Sequence, residues 1–179
     1  MIEDAIRIGK KLADYHLIDG ASGNLSFRNG EKIVITRTGA VLDSLTEDDF
    51  ISVEIGGHDE RASSDFKVHE KIYRATDYRV VLHCHGVYNV ALSLIEDRVI
   101  PIDLEGKLFL KEIRFIEGEF GSNELAEKIA DGIKEKGFAV VKAHGIYTAA
   151  DNFDNAFKIA SYVEHSCHVL YLFRLLTKL

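Results

Sequence analysis

The chain has 179 residues, 46% of them hydrophobic, and 22 basic against 29 acidic side chains leave a net charge of −7. That composition can bury one core, so a single domain over 1–179 is expected. It lacks the basic, aromatic-interleaved runs of a nucleic-acid surface and the ~18-residue apolar stretch of a membrane span, and its overall field repels a small anion unless a local nest of donors holds it.

Residues 2–18 carry Ile2, Ala5, Ile6, Leu12, Ala13 and Leu17 at helical spacing, with Gly20 and Gly23 punctuating the end. Short runs at 24–28 and 32–36 flank Asn29-Gly30, the strongest hairpin signal in the chain. Residues 51–55 read as a strand, and Ser63 or Ser64 is placed to cap a helix running to about Ala75. A strand at 80–84 precedes a helix at 87–95, and 111–116 alternates as a strand. Ser122 caps an amphipathic helix ending near Gly137. Two β-rich runs, 138–141 and 145–149, lead into a long helix over 152–176, read as one or two pieces. The mixture predicts an α/β or α+β fold whose helices cover a largely antiparallel or mixed sheet.

The first residues, Met1-Ile2-Glu3-Asp4, carry acids where a secretory leader carries bases. Only two cysteines occur, Cys84 and Cys167, and both read as small core residues in a reducing compartment. A cytoplasmic protein is expected.

The stretch HCH at 83–85 places two histidines at strand spacing. Side chains two apart share a face, so His83 and His85 face one way and Cys84 the other. Such a pair can reach one metal ion, although by itself it also reads as polar strand surface. The segment AVVKAHGIY repeats the grammar of RVVLHCHGVY: an apolar β run, then His-Gly, then an aromatic residue. His144 therefore stands at the end of another predicted strand, and two such strands side by side would join three imidazoles. His16 and His58 lie in turn-like settings, His69 sits inside a helix, and His165 and His168 read as packing or surface.

Four further features accompany the histidines: SGNLS (22–26), TRTGA (36–40), ASSDFKVHEKIY (62–73), and the order HCH then HG. In this order and spacing the chain resembles the class II aldolase/adducin family over residues 5–170 or so. The resemblance implies an α/β fold: a three-layer α/β/α sandwich. It also implies a divalent metal, usually zinc with manganese or cobalt as alternatives, held by His83, His85 and His144. It implies a sugar-phosphate substrate and a homotetramer with active sites at subunit interfaces. The phosphate-binding positions match Gly23, Asn24, Thr38, Gly39, Ser63 and Ser64. Glycine turns, hydroxyls and a helix N-terminus are the neutral donors that a phosphate in an acidic protein needs.

Asp65 follows the serine pair. The family's aldolases usually carry glutamate there, as metal ligand and acid/base; its 4-epimerases carry aspartate. The resemblance implies the same for Asp65, a fourth metal ligand and the catalytic acid/base; one methylene shorter, with roughly 1.5 Å less reach, it is expected to stay bound to the metal more rigidly or to act through water. By itself Asp65 is also a favourable charge at a helix N-terminus. After Pro101 the aldolases offer a tyrosine to the neighbouring subunit, whereas this chain reads IPIDLEGKLFL, with Asp103 and Glu105 as the only acids for a role in trans. The expectation is a metal-dependent sugar-phosphate aldolase that releases dihydroxyacetone phosphate. A 4-epimerase or dehydratase is the alternative, and a non-catalytic scaffold is disfavoured by the three histidines.

Overall fold

The computed structural model describes residues 1–178, which form five α-helices and eight strands. The helices are α1 (Ile2–Asp14), α2 (Phe66–Ala75), α3 (Val87–Ser93), α4 (Asn123–Lys136) and α5 (Phe153–Leu176). The strands are β1 (Asn24–Asn29), β2 (Lys32–Thr36), β3 (Phe50–Glu54), β4 (Val80–Cys84), β5 (Arg98–Val99), β6 (Ile113–Ile116), β7 (Phe138–Val141) and β8 (Gly145–Ala150). They make one sheet in the order β3-β2-β1-β4-β8-β7-β6-β5, antiparallel throughout except for the parallel pair β6–β7.

Both faces of the sheet are covered, which is why the central strands β4 and β8 are buried at every position instead of alternating with solvent. One apolar cluster joins Leu25, Phe27 and Cys84 of the sheet to Ile8 and Leu12 of α1, Leu92 of α3, and Phe157 and Val163 of α5. The other joins Ile33, Val81 and Tyr147 to Phe66 and Ile72 of α2 and Ile129 and Ile133 of α4. The predicted three-layer α/β/α sandwich is therefore present. Cys84 and Cys167 are buried free thiols, as expected.

Local chemistry moved several boundaries. Helix α1 stops at Asp14 rather than 18: His16 takes a left-handed φ of +54°, its N–H bonds Ala13, and the Leu17 N–H bonds Leu12 at 2.8 Å. This is a Schellman stop with histidine where glycine usually sits, so no glycine announced it. The first hairpin turns one residue later than Asn29-Gly30, because Asn29 pairs with Lys32. The predicted strand at 111–116 begins at Ile113; a π-helical turn over Gly106–Leu110 and a positive φ at Lys111 occupy the approach. Helix α3 ends at Ser93 rather than 95, and α5 is one unbroken helix. Strand β5 was not anticipated, since two residues are too few for alternation to show.

Candidate active site

Strand register assembles the first part of the site. Asn24 of β1 lies opposite His83 of β4, and His83 lies opposite Tyr147 of β8. Directly paired residues share a face, so the three side chains form a row across the middle of the sheet. The His83 and Tyr147 rings stack, centroids 3.9 Å apart and 10° from parallel.

Helix α2 brings a carboxylate over this row. The helix starts at Phe66, so Asp65 and not a serine holds the N-cap position, and its side chain caps nothing. Its Oδ2 instead accepts hydrogen bonds from Asn24 Nδ2 at 2.9 Å and the Tyr147 hydroxyl at 3.0 Å, with His83 Nε2 at 3.8 Å. Burial raises the Asp65 carboxyl, but His83 and the Asn24 and Tyr147 hydrogen bonds outweigh it and hold Asp65 below the usual carboxylate range. Burial, and then the facing Asp65 charge, push the Tyr147 hydroxyl well above its ordinary value, so it remains a donor.

The three expected histidines meet. His83, His85 and His144 each offer a ring nitrogen within 4.8 Å of the others. Their placement differs from the sequence expectation in one respect. His144 lies not at a strand end but in the tight connection between β7 and β8, after Ala143 at φ +56°, and the strand beside β4 is β8 rather than the apolar run before His144. Ser93 Oγ receives the Ala143 N–H at 2.9 Å, and Lys142 Nζ reaches Asp97 at 3.0 Å; both brace the turn. His85 stands just beyond β4, where its N–H bonds the Leu17 carbonyl at 2.7 Å.

The donor set fits a divalent ion. His83 Nδ1 is 3.0 Å from the Ile146 carbonyl and donates to it, which leaves Nε2 as the bare nitrogen. That Nε2 faces His85 Nε2 at 2.9 Å. Nitrogens that ligate one ion at ~2.0–2.1 Å can lie no more than ~4.2 Å apart, so this pair is within reach of a single ion. Burial lowers all three imidazoles, His83 furthest even against the pull of Asp65, which favours bare ring nitrogens with lone pairs for a cation. Asp65 borders this triad, with its Oδ2 already engaged by Asn24 and Tyr147.

The remaining expected residues line one cavity of about 170 Å³, together with Asp65, His85 and His144: Gly23, Asn24, Thr38, Gly39, Ser63 and Ser64. Gly39 has φ +72°, and a Cβ there would meet nothing within 4 Å, so its backbone is open to the cavity. Gly23 is tight instead: a Cβ would lie 2.8 Å from the His83 carbonyl. Ser63 Oγ receives the Asp65 N–H at 3.3 Å, and the Thr38 hydroxyl donates to the Ala62 carbonyl at 2.8 Å. Four larger cavities, of about 540 to 650 Å³, contain none of the three metal-facing histidines. Chemistry, not volume, marks the site.

A family model described as the class II aldolase and adducin N-terminal domain matches residues 3–171. The chain belongs to the class II aldolase/adducin family. Among curated members, an L-fuculose phosphate aldolase of Methanocaldococcus jannaschii is 32% identical over 156 residues, 85% of each chain. An L-fuculose phosphate aldolase of Escherichia coli is 29% identical over 83% of this chain and 72% of its own length. The crystal structure of L-fuculose-1-phosphate aldolase from Thermus thermophilus superposes with a TM-score of 0.93 at 28% identity, covering 98% of this chain and 95% of that one.

In this family member, Asp103 and Glu105 stand apart from the cavity. Asp103 Oδ2 receives the Gly106 N–H at 2.8 Å at the start of the π-helical turn, and Glu105 is exposed. Sequence reading missed Tyr147, and Asn24, expected at the phosphate, lines the cavity while its amide also holds Asp65. The repeated His-Gly-x-aromatic grammar contained Tyr147, but only the register of β4 on β8 sets it against His83. Two histidines outside the triad pack as expected: His168 stacks on Tyr88 with centroids 3.8 Å apart, and His69 lies inside α2, where burial, against the pull of Asp65, pushes it down to about 4.

Proposed function

We propose that this chain is a single-domain, metal-dependent aldolase of the L-fuculose-1-phosphate type, cleaving a ketose 1-phosphate to dihydroxyacetone phosphate and an aldehyde. The observation that carries the reading is the meeting of three imidazoles beside the Asp65 carboxylate, with His85, His144 and Asp65 at the wall of one donor-lined cavity and His83 buried behind them. The named activity of its relatives supports the choice within the family. Zinc is the ion assigned, on the all-nitrogen donor set; manganese or cobalt are the alternatives.

An ion held by His83, His85 and His144 supplies Lewis acidity that stabilises negative charge on the substrate carbonyl oxygen. The Gly39 backbone and the hydroxyls of Ser63 and Ser64 bind the phosphate, and Thr38 joins them once its hydroxyl turns from Ala62. Anchoring the phosphate fixes the ketose against the histidines. Asp65 then removes the proton of the hydroxyl next to the breaking carbon–carbon bond. Asn24 and Tyr147 keep that carboxylate ionised and aimed.

Asp103 and Glu105 enter this reading only through a neighbouring copy. In a homotetramer with shared sites, one of them protonates the released carbon in trans. Exposed Leu104, Leu108 and Phe109 around Glu105 support an interface there. Cytoplasmic placement rests on the buried free thiols; no helix among the described residues is long and apolar enough to cross a membrane.

The test is release of dihydroxyacetone phosphate from L-fuculose 1-phosphate, abolished by a chelator and restored by zinc. Metal-replete protein that cleaves no 1-phosphoketose overturns the reading. Within the assay, Tyr147→Phe keeps the ring on His83 but removes one donor to Asp65. A hydrogen bond to a charged group is worth about 1.5–3 kcal/mol, so kcat is expected to fall roughly ten- to a hundredfold at unchanged metal content. Aspartate at 65 and the missing tyrosine after Pro101 favour a second reading, a 4-epimerase; NMR of a ribulose 5-phosphate incubation that shows xylulose 5-phosphate selects it.

A further inference from the structure

A polar seam runs under the site along α2 and β1. Asp65 bonds Asn24; one helical turn on, His69 Nδ1 lies 2.6 Å from Ser26 Oγ; one turn further, the Tyr73 hydroxyl lies 2.8 Å from the same Ser26 Oγ. Arg28 closes the row by donating to the Tyr73 carbonyl. The spacing follows from geometry. Four residues of helix rise ~6 Å and two of strand ~6.6 Å, so positions 65, 69 and 73 step along positions 24, 26 and 28.

Asn24, Ser26, His69 and Tyr73 are all buried, on a face whose other contacts are apolar. An apolar helix–sheet contact is non-directional and tolerates small slides, whereas hydrogen bonds fix register. The seam is also costly: Asn24 Oδ1 and His69 Nε2 are buried without a protein partner. Leucine at 69 would spare that cost. A catalytic group must be held to within ~0.5 Å of its productive position.

We propose that His69, with Ser26, is a positioning residue that locks α2 in register on β1 and so sets the Asp65 carboxylate beside the histidine triad. Its kinetic reading rests on the aldolase function proposed above; its structural reading does not.

The test compares His69→Leu with His69→Asn in the full-length protein. Asparagine places an acceptor where Nδ1 stands and keeps the Ser26 bond; leucine does not. His69→Leu is expected to melt within a few degrees of the parent, keep its metal content and its KM for the sugar phosphate within about twofold, and lose kcat roughly ten- to a hundredfold. His69→Asn is expected to recover most of kcat. Crystal structures supply the readout independent of activity: Asp65 displaced from Asn24 in His69→Leu and restored in His69→Asn. A parent protein without aldolase activity overturns the function reading alone, and the crystal structures then decide the seam. Asp65 unmoved in His69→Leu, or an asparagine variant as impaired as leucine, overturns the positioning role.

Discussion

Alanine at His144 is expected to strip the protein of its stoichiometric divalent ion and to lower kcat/KM about a thousandfold or more, with a melting temperature close to the parent's. A metal polarising a carbonyl contributes several kcal/mol to the transition state, and about 1.4 kcal/mol corresponds to each factor of ten. His144 is the ligand to remove first because it is only half-buried and sits in a turn, so its loss leaves the core intact. His83→Ala should abolish metal binding as well, but that ring is buried between Ile146 and Tyr147 and its removal opens a cavity, so stability falls too. Elemental analysis after gel filtration, alongside steady-state kinetics, checks both variants. An alanine variant at 144 that retains one zinc per chain and full activity removes the triad from the mechanism.

Asp65→Asn is the second large effect. The amide is the same size as the carboxylate and can still accept a hydrogen bond from Asn24 or Tyr147, so the cavity keeps its shape. It cannot take a proton. Loss of a general base costs about 10²–10⁴ in rate. We expect kcat to fall by that factor while KM changes only a few-fold, because the phosphate is bound by other residues. Asp65→Glu supplies the complement: it restores the side-chain length usual in the aldolases and is expected to retain far more activity than asparagine. Rate measurements with near-parent kcat in Asp65→Asn would assign the base elsewhere.

Much of this was legible from residue types and spacing. Histidine was chosen where a neutral nitrogen ligand is needed, and the i, i+2 spacing of His83 and His85 put both on one side of β4 whatever the rest of the fold did. The Ser63-Ser64-Asp65 run announced a polar helix entrance. It did not announce which residue holds the N-cap position, because serine and aspartate both suit it. The stop of α1 at His16 was invisible, since a left-handed histidine has no sequence mark. Asp103 and Glu105 show the opposite limit: a role in trans lies beyond anything one chain can display.

The amino-acid order alone determined all the α-helices and strands but the two-residue β5, the three imidazoles and the family, because propensity, hydrophobic period and glycine placement act over a few residues. Only the tertiary structure decided which donor serves which task. Asn24 and Tyr147 reach Asp65 from 41 and 82 positions away along the chain. Their meeting depends on strand register, and register is set by burial on both faces of the sheet, a property of the whole fold that no local window contains.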